Sequence, residues 1–308
     1  MLQIENLSKK FNDLLAVDHI SFQVHPGEIF GFLGPNGAGK TTTINCICGL
    51  LKPDTGSIRI DNQEITSAGT QIRKKLGVVP QEVALYEELN AIENMRFWGG
   101  LYGLKGKQLK ERIDTLIDLT GLKERIKDKV KTYSSGMKRR LNMAAGMIHQ
   151  PKLLLLDEPT VGIDPQARHQ MLDTVKGFAK GGTTILYTTH YLDEAEALCD
   201  RLAIIDHGRI LASGTEEEIK QIVGENRLLK VIGTFKQEIA EKLPAQIKDL
   251  SLISIQEKEV VYSLPVKYTT GEFLEKLITS GFEIDHLSIK EPSLDSVFIK
   301  LTGRELRD

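Results

Sequence analysis

Two short segments of this sequence carry residue types whose spacing suits phosphate chemistry. Gly34-Pro35-Asn36-Gly37-Ala38-Gly39-Lys40-Thr41 fits the pattern G-x-x-x-x-G-K-[ST]. Its glycines let backbone N–H groups approach a polyphosphate without a clashing side chain, and a helix opening at Thr42 adds partial positive charge there. Lys40 has the reach for β- and γ-phosphates, and the Thr41 hydroxyl can coordinate Mg²⁺. The second segment, Leu153 to Leu156 followed by Asp157 and Glu158, begins 113 residues after Lys40 and ends in two adjacent carboxylates. Beside a triphosphate these would repel each other unless a cation separates their roles. Mg²⁺ is therefore implied, with Asp157 as its ligand and Glu158 polarising a water for in-line attack on the γ-phosphorus. The two segments together specify a nucleoside triphosphate. By themselves they do not separate a kinase, a GTPase or a motor.

Such groups need elements to hold them. Ile29–Leu33, Leu153–Leu156, Thr184–Tyr187 and Leu202–Ile205 are short continuous apolar runs, the pattern of parallel strands buried on both faces. The glycine-rich loop follows the first of these and precedes a helix expected over Thr42–Leu50. Ligands of open α/β sheets sit at the carboxyl ends of the strands, where Asp157 and Glu158 fall. Between Val83 and Gln150 the helical spacing of Leu109, Ile113, Leu116 and Ile117 predicts a helical insert, at about residues 83–150. Near Gly224 the character changes. Strand-like Leu228–Phe235, helical Gln237–Lys242, a hairpin of Ile253–Ile255 and Val260–Leu264, helical Glu272–Ile278 and alternating Ile284–Ile289 give the order β-α-β-β-α-β, a ferredoxin-like α+β arrangement closed by a helix over Leu294–Leu301. The expected domains are thus 1–223 and 224–308.

Five further elements give the chain a resemblance to ABC-type ATPases. Tyr133-Ser134-Ser135-Gly136-Met137 is similar to their signature loop and lies about twenty residues before Asp157. Gln81 in Val-Val-Pro-Gln resembles the glutamine loop, Gly162-Ile163-Asp164 the D-loop, and His190 in Tyr-Thr-Thr-His the switch histidine. Phe11 resembles the aromatic that stacks on adenine. The tail from Glu291 to Gly303 resembles the ending of ATP-binding subunits of type-2 exporters, similar to bacterial drug-resistance ATPases. This resemblance implies ATP and Mg²⁺ as ligands, with Thr41, Gln81 and Asp157 around the metal, and Glu158, His190 and Gln81 in catalysis. It also implies a head-to-tail dimer, or a paired ATPase subunit, in which each ATP lies between one chain's phosphate loop and the other's Ser134-Ser135-Gly136. The family signature often reads Leu-Ser-Gly-Gly-Gln. Tyr133, Ser135 and Met137 depart from it, while Ser134 and Gly136, which carry the phosphate contacts, remain.

The remaining features bound the surroundings of such a machine. Forty basic and 42 acidic residues give a formal charge of −2, so wholesale nucleic-acid binding is not expected. No apolar run reaches membrane-spanning length and the start of the sequence lacks a signal pattern, so a membrane role would come through a multi-span permease, placing the subunit peripherally at the cytoplasmic face of the cell membrane. The three cysteines, Cys46, Cys48 and Cys199, form no zinc-type pair and read as reduced thiols. Leu104–Arg140 holds twelve basic and five acidic residues, a solvated face or a surface near anionic lipid. Tyr86, Phe97, Trp98 and Tyr102 lie where, in the resembled family, a membrane-subunit helix docks, and they suit either that groove or core packing. The competing assignment, a soluble ABC-type ATPase acting on nucleic acid or ribosomes, finds neither a long coiled coil nor a second ATPase unit in this chain.

Overall fold

The computed structural model describes residues 1–65, 69–222, 226–265, 268–290 and 293–303. In chain order the elements are β1 (Leu2–Phe11), β2 (Leu14–Val24), β3 (Ile29–Leu33), α1 (Lys40–Ile47), β4 (Thr55–Ile60), β5 (Gln63–Glu64), α2 (Gly69–Arg73), β6 (Leu76–Val79), α3 (Ala91–Leu101), α4 (Gly106–Thr120), α5 (Ser135–Gly146), β7 (Leu153–Asp157) and α6 (Pro165–Lys180). There follow β8 (Thr184–Thr189), α7 (Leu192–Leu198), β9 (Arg201–Asp206), β10 (Arg209–Gly214), α8 (Glu216–Lys220), β11 (Asn226–Thr234), α9 (Gln237–Lys242), β12 (Ser251–Ile255), β13 (Glu259–Pro265), α10 (Thr270–Thr279), β14 (Glu283–Lys290) and α11 (Leu294–Thr302).

The four apolar runs are strands β3, β7, β8 and β9 of a six-stranded sheet in the order β10-β9-β3-β8-β7-β6. Every residue of β3, β7 and β8 is buried, because side chains on both faces have a core to enter. Alternation divides them: Leu154, Leu156, Ile185 and Tyr187 enter one cluster, while Leu153, Leu155 and Leu186 enter the other. The register decides the site. In the parallel ladders Leu33 pairs with Thr189 and Asp157 with Thr188, so three chemically loaded strand ends finish at one level.

A second sheet, β2-β1-β4-β5, is antiparallel and was not expected from the alternating strand–helix reading. Its long β1–β2 ladder is broken by register shifts, which blur the period-2 pattern in sequence. The helical insert holds α3, α4 and α5. It is anchored by a capping box at Asn90 and Glu93, and by buried Ile113, Leu116 and Ile117 on α4.

The chain divides into two compact units, Met1–Ser213 and Gly214–Asp308, where composition changes only at 223/224. The difference is the short capped helix α8. Its buried Ile219 and the Lys300 Nζ donation to the Ile222 carbonyl bind this stretch to the second unit. That unit has the sheet order β12-β13-β11-β14, antiparallel throughout, with α9 and α10 inserted as a ferredoxin-like arrangement requires. Phe273, Leu277 and Tyr262 belong to its own core.

Candidate active site

The phosphate loop leaves β3 in the middle of the sheet. Gly34 packs so tightly that a Cβ there would stand 2.2 Å from the Ile205 carbonyl oxygen. Gly39 has φ +109°, and a Cβ on it would meet the Ala16 carbonyl oxygen at 2.5 Å, so side chains are excluded on two counts. Helix α1 starts at Lys40, two residues earlier than expected. Unlike α3 and α6, which use Asn90 and Asp164, its N-terminus has no side-chain cap and no acidic residue in its first turn. The first-turn N–H groups therefore face the loop with their partial positive charge available to an anion.

Around this loop the sheet gathers the other groups. Lys40 Nζ is 2.9 Å from Glu158 Oε1, and it donates to the carbonyls of Gly34 at 2.6 Å and Pro35 at 2.9 Å. His190 Nδ1 lies 3.3 Å from Glu158 Oε2. All three side chains are nearly inaccessible to solvent. Burial opposes the charge on Glu158, but His190 and Lys40 outweigh it and hold the carboxyl down to about 2. Asp157 goes the other way. Burial pushes its carboxyl up, against hydrogen bonds from Thr188 and Thr41. Two neighbouring carboxylates with one low and one raised pKa have different roles imposed on them by their surroundings.

Glu158 also has a left-handed backbone, φ +45°, uncommon for a residue with a side chain. Thr188 holds it: its hydroxyl donates to Asp157 Oδ1 at 2.8 Å and accepts the Glu158 N–H at 2.9 Å. Nothing in the sequence around Thr188 signals this role, because only the β7–β8 register brings it there.

A groove of about 390 Å³ runs from Glu158 past Lys40, Thr41 and Thr42 to Phe11, Leu14 and Leu15, and Gln81 lines it too. Asn36, Gly37 and Gly39 form part of its wall. Phe11 is 41 % exposed at the far end, with the Lys9 ammonium 5.6 Å from its ring centroid. Leu14, Leu15, Ala16, His207 and Gly208 also line it. The first three come from the β1–β2 hairpin, which the sequence reading missed.

The signature segment is not in this group. None of residues 133–137 lines the groove. Ser134 caps α5 by accepting the Met137 N–H at 3.3 Å, and Ser134 and Ser135 are exposed while Gly136 is buried. A Cβ on Gly136 would stand 2.5 Å from the Ala167 Cβ, so this glycine is needed for the α5–α6 approach. Tyr133 is buried and donates to the Arg125 carbonyl at 2.6 Å, which accounts for a tyrosine at that place. Asp164 caps α6 through the Ala167 N–H at 2.9 Å.

Comparison with known proteins matches these features. The family model for the ABC transporter covers residues 17–161, and that for the C-terminal domain of DrrA1-3-like ATP-binding proteins covers 214–302. The linearmycin resistance ATP-binding protein LnrL of Bacillus subtilis (strain 168) is 40% identical over 311 aligned positions, spanning 100% of this chain and 100% of that protein. This chain is an ABC exporter ATP-binding subunit. A Nod factor export ATP-binding protein I from Cupriavidus metallidurans is 37% identical over 100% of this chain and 99% of its own length. A solved structure of the ATP-binding subunit of an ABC transporter superposes with a TM-score of 0.66 at 32% identity, over 73% of this chain and 93% of that one. The chain is therefore an ABC transporter ATPase, which sets aside the nucleic-acid or ribosome assignment. Among the described residues no helix is long and apolar enough to cross a membrane.

Proposed function

We propose that this ABC subunit hydrolyses ATP through Glu158, with Lys40, Gln81 and His190 reading the γ-phosphate, in a head-to-tail pair of cassettes. The observation that carries this reading is a division of labour. The groove holds the phosphate loop, Phe11, Gln81 and Glu158, but none of the signature residues, of which Ser134 and Ser135 stand exposed at the start of α5. A second copy supplies Ser134, Ser135 and Gly136 from across the interface. Their N–H groups and hydroxyls open a twelve-residue helix.

The Lys40–Glu158 pair makes the active site responsive to nucleotide. A triphosphate competes for the ammonium, and Lys40 exchanges Glu158 for phosphate oxygens. Glu158 then loses one of the two partners that depress its pKa, and its basicity toward a water rises. His190, still beside Glu158, orients that water or the phosphate. Phe11 stacks on the base, contributing about 1–3 kcal/mol with little base selectivity.

The donor set fits Mg²⁺. The Thr41 hydroxyl is hydrogen-bonded to the Asp157 carboxylate and Gln81 lines the same groove, all hard oxygen ligands. No cluster of three or more His, Cys, Asp or Glu occurs among the described residues, which suits an ion that completes its shell with phosphates and waters. Bound there, Mg²⁺ would neutralise charge on the β- and γ-phosphates.

The subunit would work at the cytoplasmic face beneath a multi-span permease, exporting a compound of the kind its resistance relatives are named for. Tyr86 and Phe97, 49 % and 39 % exposed and in edge contact at 4.7 Å, supply an aromatic surface for a helix of that partner. The experiment is Glu158→Gln in the full chain. Sedimentation should show a dimer with ATP and a monomer without it. A monomer under both conditions would reject the shared-site reading.

A further inference from the structure

Behind His190 lies a buried polar ring that the reaction as described does not use. Glu194, on α7, is wholly inaccessible to solvent. Its Oε2 accepts from the Tyr187 hydroxyl at 2.9 Å and from the Thr189 hydroxyl at 2.8 Å, and its Oε1 is 3.4 Å from Arg168 Nε. Thr189 immediately precedes His190. Its hydroxyl also accepts the Tyr191 N–H at 2.9 Å, and its carbonyl accepts the N–H of Gly34 in the phosphate loop at 3.2 Å. The Arg168 guanidinium sits 4.1 Å over the Tyr191 ring, and its NH1 is 3.7 Å from Asp193. The Tyr191 ring in turn lies 4.1 Å from the His190 ring. The contacts thus close on themselves: Glu194, Arg168, Tyr191, His190, Thr189 and back to Glu194.

We propose that Glu194 is the positioning residue of His190, holding the backbone on one side of it through Thr189 and the ring on the other through Arg168 and Tyr191. A buried carboxylate has reason to be retained here, since it accepts from two hydroxyls and stands in ion-pair range of a guanidinium at once. The ring also has a direction of communication. Arg168 belongs to α6, the helix that Asp164 caps, so a shift of the Gly162–Asp164 loop moves the guanidinium that braces Tyr191 against His190. The inference rests on the catalytic reading of His190 and extends it to residues outside the groove lining.

Glu194→Gln keeps the shape and removes the charge, and it sets an amide N–H₂ against groups that themselves donate. In the full chain kcat for ATP should fall about tenfold with KM within about twofold, the signature of a displaced catalytic group rather than lost binding. Hydrogen exchange at the Tyr191 amide, measured without nucleotide, should quicken about tenfold. In a His190→Ala background the same change should cost no further activity, because the group it positions is gone. An equal additional loss in that background, an unaltered exchange rate, or a raised KM at constant kcat would each overturn the proposal. His190→Ala alone tests the catalytic reading separately: wild-type turnover in that variant removes His190 from the reaction and leaves the exchange result to judge the ring. Should Glu194→Gln not fold, Arg168→Gln, at a partly exposed position, carries the same expectations and the same refutations.

Discussion

At the scale of single residues, the proposed function rests on a buried charge balance. Glu158 stays ionised because Lys40 and His190 outweigh the cost of its burial. Replacing it by Gln should preserve ATP binding, measured by equilibrium dialysis, and slow hydrolysis by about 10²–10⁴-fold, the span of a general base. Acid should expose the same balance. The folded-state pKa of Glu158 lies below the ordinary 4.5, so its ionisation contributes stability that is complete above that value and drains as pH falls toward about 2. Urea midpoints followed down that window should therefore drop more steeply for the wild type than for Glu158→Gln, and parallel curves would contradict the depressed pKa. Lys40→Ala removes both the proposed phosphate ligand and one partner of the buried pair. Nucleotide affinity should fall about a hundredfold, as for the loss of a charged hydrogen bond of about 3 kcal/mol, and titration calorimetry would report it.

At the scale of elements, two helical glycines predict opposite outcomes. Gly136 lets α5 approach α6, and a Cβ there would collide with the Ala167 Cβ at 2.5 Å. Gly136→Ala should destabilise the chain by about 1–3 kcal/mol, as overpacking does, and disturb the signature loop with it. Gly100, exposed on α3, has nothing within 4 Å of where its Cβ would stand. Gly100→Ala should stabilise by about 0.5–1 kcal/mol through helix propensity and a less flexible unfolded chain. Chemical denaturation of the two variants checks both signs. The basic excess of Leu104–Arg140 also finds its explanation at this scale. Lys129 and Lys131 pair with Glu88, and Lys138 with Glu87, so part of the excess is balanced by acids just outside the stretch.

At the scale of the whole molecule, each of the two units has its own core, and the ATPase unit carries one copy of each motif. Ser134→Arg replaces an exposed capping residue, which costs about 1 kcal/mol of helix stability and leaves the fold intact. It should nonetheless abolish the ATP-dependent dimer of the Glu158→Gln chain in sedimentation. A dimer persisting in the double variant would separate the signature loop from nucleotide closure. The two-unit division also meant that the ferredoxin-like order of the second unit was readable from short alternating segments, while the packing of α8 with that unit was not. Helix α8 looks like a continuation of the first unit until its packing partner, α11, is seen.

The local chemistry of this protein was written in consecutive residues. The phosphate loop, the Asp157–Glu158 pair and the strands that carry them depend on backbone freedom and on apolar runs, which are properties of neighbours in the chain. Strand order and register are properties of distant segments meeting. They alone decided that Thr188 clamps Asp157 and Glu158, that Thr189 and Glu194 frame His190, and that the β1–β2 hairpin walls the groove. A carboxylate such as Glu194 looks like an ordinary surface residue in the sequence. Only burial, which withdraws water and leaves the nearest hydroxyls and guanidinium as its partners, makes it part of the mechanism.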